Sequence, residues 1–448
     1  MSGSETRAQR QLQCARDLFH YLAGRLNSPL SIRLWDGSVI ALSEDHSSEY
    51  EIHLRSPAVL GRLIRKPGAE TLLRLYASGM IDYSGGSIVS LIETARVRNS
   101  RRKMRGIPWK LLIRVVRNFL TERGADSSFE NAFHGDETGL DRKKEDNRDY
   151  IQFHYDVGNE FYRLFLDPEM VYSCGYFRDW SETLAQAQLN KLEMICRKLQ
   201  LKPGEKLLDI GCGWGALICY AAKNYGVHAH GITLSDEQKE FAEEKIRRLG
   251  LQDRVTVALC DYSDVEGQYD KISSIGMVEH VGIDNMSAYM HKVAGLLRDR
   301  GMFLNHGITR PAKKTRKAFR RMNAERRLLA RYIFPGGELD HLGHMIECME
   351  SRGFDVHDVE GWRDHYSLTC RHWCERLEAS RDTAIREIGE EKYRLWVLYL
   401  AGCVFALGDG GARIYQTVAT RHAGRGLSGM PPTREHLYNT DSEMNRAA

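Results

Sequence analysis

Between Lys206 and Thr233 the chain reads KLLDIGCGWGALICYAAKNYGVHAHGIT. Leu207, Leu208 and Ile210 form an apolar run of strand length, with Asp209 just before its end. Gly211, Gly213 and Gly215 follow at alternate positions. Ala216 to Asn224 then reads as a helix and Val227 to Ile232 as a second strand. Strand, glycine turn, helix and strand make a βαβ unit, whose parallel strands need a right-handed crossover. The stretch therefore predicts an α/β domain built on a doubly wound sheet. Such sheets bind small molecules outside the carboxyl ends of their strands, where glycines let the backbone come close to a ligand.

Two cofactor classes compete for this turn. Gly211-x-Gly213-x-x-Ala216 fits the dinucleotide fingerprint, which is a weak signal by itself. That reading wants an acid about twenty residues on to hold the ribose, and the end of the second strand offers Gly231-Ile232-Thr233 instead. The D-x-G-x-G-x-G spacing from Asp209 to Gly215 is more similar to the S-adenosylmethionine turn of class I methyltransferases, so a methyl donor is the expected ligand.

At 448 residues the chain is long for one domain, and two are expected. A formal net charge of +4 supports no global polyelectrolyte argument, so local clustering matters more. No segment has the apolar length of a membrane span, and the polar start MSGSETRAQRQ does not read as a signal peptide. The 10 cysteines are scattered without a C-x-x-C pair, which argues against a zinc ribbon or a disulfide scaffold and for a reduced, cytoplasmic protein. No metal site is expected.

Residues 1–123 read as a small α+β amino-terminal accessory domain. Ala8 to Arg25 has apolar positions at helical spacing. Ser31–Trp35 and Ser38–Leu42 flank Asp36-Gly37, the sequence of a tight hairpin. Tyr50 to Leu54 adds a strand, and Ala58 to Arg65 and Ala69 to Ser78 read as helices. Arg96 to Leu120 then carries nine basic residues and no acid, with Trp109, Leu112, Ile113, Val116 and Leu120 at helical spacing after Pro108. A basic amphipathic helix can lie on an anionic bilayer, at roughly 1 kcal/mol per basic residue near the surface. A helix packed on its neighbour with a solvated basic face fits the same pattern. Nucleic acid ranks below both, because no aromatic platform or recognised motif accompanies the charge.

Residues 124–149 are polar and charge-mixed and read as a linker. A catalytic domain is expected over 150–421, followed by a polar tail at 422–448. After the opening βαβ, Asp236 to Leu249 reads as a helix and Val255 to Leu259 as a strand. Tyr269 to Ile275 is a further strand, Asn285 to Leu297 a helix and Met302 to His306 a fifth strand. The alternation is that of a parallel sheet covered on both faces. A second basic run, Arg310 to Arg331, is expected to be a helical insertion near the site. The fourth strand runs into Glu279-His280 and the fifth into His306-Gly307-Ile308, placing Glu279, His280 and His306 on the same rim as the glycine turn. Asp261 and Tyr262, after the third strand, are placed for the adenine of the donor. Thr233 and Gln238, after the second, are placed for its ribose or amino-acid end.

Several motifs recur in order. They are His154-Tyr155-Asp156-x-Gly158-Asn159-x-Phe161-Tyr162, Tyr172-Ser173-Cys174-x-Tyr176-Phe177, the Leu207–Gly215 turn, and Gly231-Ile232-Thr233-x-Ser235-x-x-Gln238. Glu279-His280-Val281-Gly282, Phe334-Pro335-Gly336-Gly337 and His365-Tyr366-x-Leu368-Thr369 complete the series. Together they resemble the cyclopropane-fatty-acyl-phospholipid synthase family, which includes the mycolic acid cyclopropane synthases. The likeness covers about Tyr150 to Gln416. The amino-terminal region is similar more loosely, through Leu75-Tyr76-x-x-Gly79-Met80-Ile81-Asp82.

The resemblance implies a class I methyltransferase Rossmann-like fold with S-adenosyl-L-methionine and bicarbonate as cofactors. In the family a methyl group passes to an alkene carbon of an unsaturated acyl chain in a phospholipid, and loss of a proton from that methyl closes a cyclopropane ring. Such a site needs an apolar channel that keeps water from the cation, and a base against the methyl. By carry-over, Cys174, Glu279, His306, Ile308 (through its backbone) and Tyr366 hold bicarbonate as that base. The methyl donor is held by Tyr172, Ser173, Leu207, Asp209, Gly211, Cys212, Gly213, Trp214, Gly215, Thr233, Leu234, Ser235, Gln238, Asp261, Tyr262 and Ser263. Cys403 matches a family cysteine once proposed as catalytic; no step above calls for a thiolate, so it reads as a wall residue.

Departures from the pattern are Val404-Phe405-Ala406-Leu407-Gly408 after Cys403, Arg74 where the family has an acid near Leu73, and the strongly basic 310–331 run. They touch acyl-chain shape, head group and product rather than the cofactor motifs. The partner implied is an unsaturated phospholipid in an anionic membrane, with the enzyme peripheral on its inner face and a homodimer suggested by the family. Alternatives left open are a methyl- or methylene-branched product, a small-amine N-methyltransferase and an inactive lipid-binding protein.

Overall fold

The computed structural model describes residues 6–43, 49–96, 107–122, 157–322 and 324–438. The expected linker, the basic residues between 97 and 106, His154 to Asp156 and the tail beyond Tyr438 lie outside them. The chain forms two compact units. One takes Met1–Ala132, Asn323–Tyr332 and Cys374–Ala401; the other takes Phe133–Met322, Ile333–Trp373 and Gly402–Ala448. This departs from the contiguous division at 123 and 150 expected from the sequence.

The first unit is built on a four-stranded sheet of β1 (Leu30–Arg33), β2 (Val39–Ala41), β3 (Tyr50–Leu54) and β4 (Ile81–Ser84), in the order β2-β1-β3-β4. Asp36-Gly37 turns β1 back on β2 with Ile32 opposite Ile40, and Gly37 takes the positive φ of 85° that such a turn needs. The helix Arg7–Leu26 opens with a capping box between Thr6 and Gln9 and buries Cys14, Ala15 and Phe19 against the sheet. The helix Trp109–Phe119 adds Val115 and Phe119 to the same core.

Charge explains why residues 374–401 belong here. The Arg394 guanidinium, 4% exposed, lies 3.2 Å from Asp82 on β4 and 2.9 Å from Glu390. Tyr83 donates its hydroxyl to Glu378, which also accepts the Ile88 N–H at 2.9 Å. Two segments far apart in sequence thus hold each other's buried polar groups, which would otherwise be costly. The basic insertion divides too. Arg316–Arg320 is a short helix of the second unit, whereas Ala324–Tyr332 belongs to the first, with the Tyr332 hydroxyl 3.0 Å from Arg74. The single insertion expected near the site is corrected to that extent.

The second unit carries a seven-stranded sheet: β5 (Lys206–Ile210), β6 (His228–Thr233), β7 (Val255–Leu259), β8 (Tyr269–Ile275), β9 (Leu297–Thr309), β10 (Phe354–Gly361) and β11 (Arg413–Arg421). Its order is β10-β11-β9-β8-β5-β6-β7. β5 to β9 pair in parallel, while β11 runs antiparallel to both β9 and β10. The helices Leu184–Lys198 and Ala216–Tyr225 cover one face, where Leu207, Ile218 and Ala229 are buried. Met286–Leu296 and Leu342–Glu350 cover the other, over Leu208, Ile210 and Phe303. Adjacent residues of β5 thus feed opposite cores, as a strand buried on both faces requires. The fold is α/β with a Rossmann-like sheet, as expected.

Candidate functional site

The glycine turn ends β5. Gly211, Gly213 and Gly215 have φ of 77°, 53° and 78°, a conformation that side chains rarely adopt. A Cβ on Gly211 would lie 2.4 Å from the Met277 sulfur, whereas one on Gly213 would meet no atom within 4 Å. The first glycine is therefore needed for packing, and the second leaves bare backbone beside open space. Gly211 and Cys212 both donate their N–H to the Ile232 carbonyl, at 3.0 and 2.9 Å, which fixes the turn against β6.

A cleft opens at this turn. Of the residues expected to hold a methyl donor, Tyr172, Ser173, Asp209, Gly211–Trp214, Thr233, Leu234, Gln238, Asp261 and Tyr262 line it. Leu207, Gly215, Ser235 and Ser263 are not among its lining residues. Leu207 is fully buried in the core, and Gly215 caps the helix Ala216–Tyr225. Ser235 caps Asp236–Leu249 by accepting the Gln238 N–H at 3.3 Å. Ser263 donates to Asp261 through its N–H at 2.9 Å and its hydroxyl at 2.6 Å. They shape the cleft rather than face it.

The cleft wall is furnished differently along its lining. Thr233 donates to the Gln238 side-chain amide oxygen at 2.7 Å, and Asp261 and Tyr262 belong to the same wall. Asp209, also in the wall, is pushed up to about 6 by burial, while Ser273 donates to it at 2.7 Å. Lys191 enters beside it from the helix Leu184–Lys198 and donates to Ser173 Oγ at 3.0 Å. Burial lowers Lys191 to about 8 against the opposing pull of Asp167, Asp209 and Cys174. Nothing in the local sequence marks Lys191; a lysine in a helix is ordinarily solvated. Bare backbone, a buried cation and hydroxyl groups along one cleft fit S-adenosylmethionine.

Beside the cleft, the residues expected around bicarbonate are linked by contacts. Cys174, Ile308, Tyr366 and Trp362 pack in one apolar cluster. The Ile308 N–H donates to Glu279 Oε1 at 2.5 Å. The His306 ring stands edge-on to Trp362 with centroids 5.2 Å apart, and its Nδ1 lies 2.9 Å from Gln416 Nε2. Glu279 Oε2 and His306 Nε2 are both buried with no hydrogen-bond partner among the described residues. Burial pushes Glu279 up to about 7, tempered by the Ile308 N–H, and drives His306 well below its ordinary range.

Cys174 is fully buried, which drives its thiol well above the ordinary range, and it donates to the Gly175 carbonyl at 3.2 Å. It is a thiol, not a nucleophilic thiolate. Cys403 is half-buried and lies close enough to Tyr366 to raise its hydroxyl electrostatically, as Cys174 also does, after the larger effect of burial. One expectation shifts: the strand expected to end at His306 continues to Thr309, so Ile308 lies within β9 rather than past its end. β11 on the far side prolongs the strand, with Gln416 directly opposite His306 and Ile414 opposite Ile308.

The mycolic acid cyclopropane synthetase family model matches residues 142–417. A "probable fatty acid methyltransferase" of Pseudomonas putida is 36% identical over 418 residues, which are 92% of this chain and 97% of that one. The cyclopropane-fatty-acyl-phospholipid synthase of Escherichia coli strain K12 is 39% identical over 274 residues, 61% of this chain and 68% of its own. Among solved structures, mycolic acid cyclopropane synthase CmaA1 complexed with SAH and CTAB is 33% identical, covers 61% of this chain and 98% of that one, and superposes with a TM-score of 0.58. With a glycine turn opening into a donor cleft and likeness of this extent, the chain belongs to the mycolic acid cyclopropane synthetase family and is an S-adenosylmethionine-dependent methyltransferase acting on lipid acyl chains.

Proposed function

We propose that this enzyme adds a methylene bridge across the double bond of an unsaturated acyl chain in a membrane phospholipid, forming a cyclopropane ring, with bicarbonate as the base. S-adenosylmethionine, when bound, supplies the electrophilic methyl group. The observation that carries the reading is the pair of buried, unpartnered polar atoms, Glu279 Oε2 and His306 Nε2, beside the apolar cluster of Cys174, Ile308, Trp362 and Tyr366. Buried polar groups are nearly always paired, so two orphans tied to one strand, His306 on β9 and Glu279 through the Ile308 N–H, call for a polar guest. A bicarbonate ion offers a hydroxyl to Glu279 and an anionic oxygen to a ring N–H of His306. Tyr366, its hydroxyl held protonated by burial, would donate to the same ion. The apolar walls keep water from a chain that carries positive charge after methylation.

Docking on an anionic membrane is part of the proposal. The helix Trp109–Phe119 turns Val115 and Phe119 inward and leaves Trp109, Leu112 and Ile113 more than half exposed, with Lys110 and Arg117 beside them. No described helix is long and apolar enough to cross a membrane.

A second reading uses the same site without ring closure and gives a methyl- or methylene-branched chain. Its support is the name of the Pseudomonas putida relative, which matches nearly the full chain. One experiment decides: unsaturated phospholipid vesicles, labelled S-adenosylmethionine, and mass analysis of the acyl chains. A net gain of CH2 that resists hydrogenation supports the ring. The same gain followed by hydrogen uptake supports a methylene branch, and no gain overturns both.

A further inference from the structure

Lys198, Gln416 and His306 form a chain of contacts that leaves the imidazole one choice of tautomer. Lys198 closes the helix Leu184–Lys198, and its side chain is 1% exposed. It pairs with Glu360 on β10 and lies 5.1 Å over the Trp362 ring. A carboxylate on one side and an indole face on another are the surroundings of an ammonium, which donates and never accepts. Lys198 Nζ also lies 2.8 Å from Gln416 Oε1, so that atom must be the amide oxygen, since a flipped amide would set two donors against each other. The Gln416 NH2 then faces His306 Nδ1 at 2.9 Å and donates to it. A ring nitrogen that accepts has no proton, so in the neutral imidazole the proton sits on Nε2.

Register makes the arrangement durable. Gln416 on β11 and His306 on β9 are directly paired residues of an antiparallel ladder. Both are almost completely buried, at 0% and 1% exposure, so neither ring nor amide has water to turn toward. His306 is kept neutral by burial and by the positive charges of Lys191 and Lys198.

We infer that Gln416, oriented by Lys198, is a positioning residue that holds His306 as the Nε2–H tautomer and so makes its buried free nitrogen a hydrogen-bond donor for an oxyanion. The tautomer follows from the contacts alone; the oxyanion's identity as bicarbonate rests on the function proposed above. A partner beyond the ring often sets which nitrogen faces a ligand, and here the partner's partner sets it.

The test is nitrogen NMR on protein labelled at histidine, with His306→Gln used to assign the signal. Wild type should show a protonated Nε2 and an unprotonated Nδ1. Gln416→Glu replaces the donating amide with an accepting carboxylate and should reverse the pattern. The same variant should raise the bicarbonate concentration needed for half-maximal methylation by about tenfold or more, the cost of losing a charge-assisted hydrogen bond. Its affinity for S-adenosylhomocysteine should be unchanged. A wild-type His306 protonated at Nδ1 would overturn the inference, even if Gln416→Glu fails to fold. So would a Gln416→Glu protein with an unaltered tautomer. The expected tautomers without any response to bicarbonate would leave the positioning role standing and sink the bicarbonate reading.

Discussion

Ile308 gives its backbone N–H to Glu279 at 2.5 Å, so one carboxylate oxygen is taken by strand β9 and the other is buried without a partner among the described residues. A β-strand that ended at His306 could not make this contact. The extension of β9 to Thr309, paired on β11, delivers it.

Glu279→Gln keeps the shape and removes the ionisable carboxyl. Turnover on lipid vesicles should fall about 100-fold or more, as when a preorganised polar group is lost from a dry site, while calorimetric affinity for S-adenosylhomocysteine stays within about twofold. A comparable loss of affinity would mean that Glu279 belongs to the donor cleft instead.

The same substitution carries a pH signature in stability. Burial raises Glu279 to about 7, so the folded protein keeps a proton that the unfolded chain releases near its ordinary value. The stability this contributes is complete below the ordinary carboxylate pKa and is lost as pH rises toward 7. Between pH 4 and 8, Glu279→Gln should therefore gain roughly 3 kcal/mol relative to wild type in denaturant melts. Parallel stability curves for the two proteins would show that the carboxyl is not held neutral.

Lys191 lines the cleft and donates to Ser173, a buried cation that suits the carboxylate of the donor's amino-acid tail. Lys191→Met should weaken S-adenosylhomocysteine binding about tenfold or more, and leave 5′-methylthioadenosine, which lacks that tail, unaffected. Lys191→Arg should recover part of the loss. Equal weakening of both ligands would reduce Lys191 to a support for the cleft.

Arg394 is the buried counter-charge of Asp82. Arg394→Met should cost about 2 kcal/mol, less than a fully stranded buried charge, because it leaves Asp82 only the exposed Arg55 at 3.2 Å. Burial opposes ionisation of Asp82, and the Arg394 guanidinium outweighs it and holds the carboxyl below its usual range. The pair's contribution is thus present above that range and disappears as pH falls through the lowered value. The destabilisation should accordingly shrink in acid. A cost that stays constant from pH 7 to pH 3 would refute an ionic origin.

Trp109→Ser with Leu112→Ser should weaken flotation with anionic vesicles severalfold and leave methylation of detergent-dispersed lipid intact, since both side chains are exposed. Neutralising Arg101, Arg102 and Lys103 should weaken the same binding only at low salt. Unchanged flotation in both variants would assign this stretch to some other task.

Much of this was legible beforehand. The strands from Tyr50 to Leu54 and Val255 to Leu259 and the helix Asp236–Leu249 fall where the apolar period put them, because each is bounded by turn or capping residues. β11 was missed: Arg413–Arg421 mixes Gln416 and Thr417 with apolar residues, and both are fully buried for reasons lying on other strands. Lys191 and Lys198 escaped for the same cause. A helical lysine announces nothing until the carboxylates or amides it meets are brought to it by the fold. Glu279 and His306 follow from the strand ends and their role from the motif resemblance, and the contact that ties Glu279 to Ile308 comes only with the extended β9.

The amino-terminal unit is completed by Cys374–Ala401. A ribosome making this protein therefore releases Asp82 and Tyr83 some three hundred residues before Arg394 and Glu378 emerge to meet them. During that interval Asp82 has only the exposed Arg55 beside it and the Tyr83 hydroxyl lacks its acceptor, so the earliest part of the polypeptide is among the last to be finished, and a chain cut short before Ala401 should be recognised by proteases at both ends.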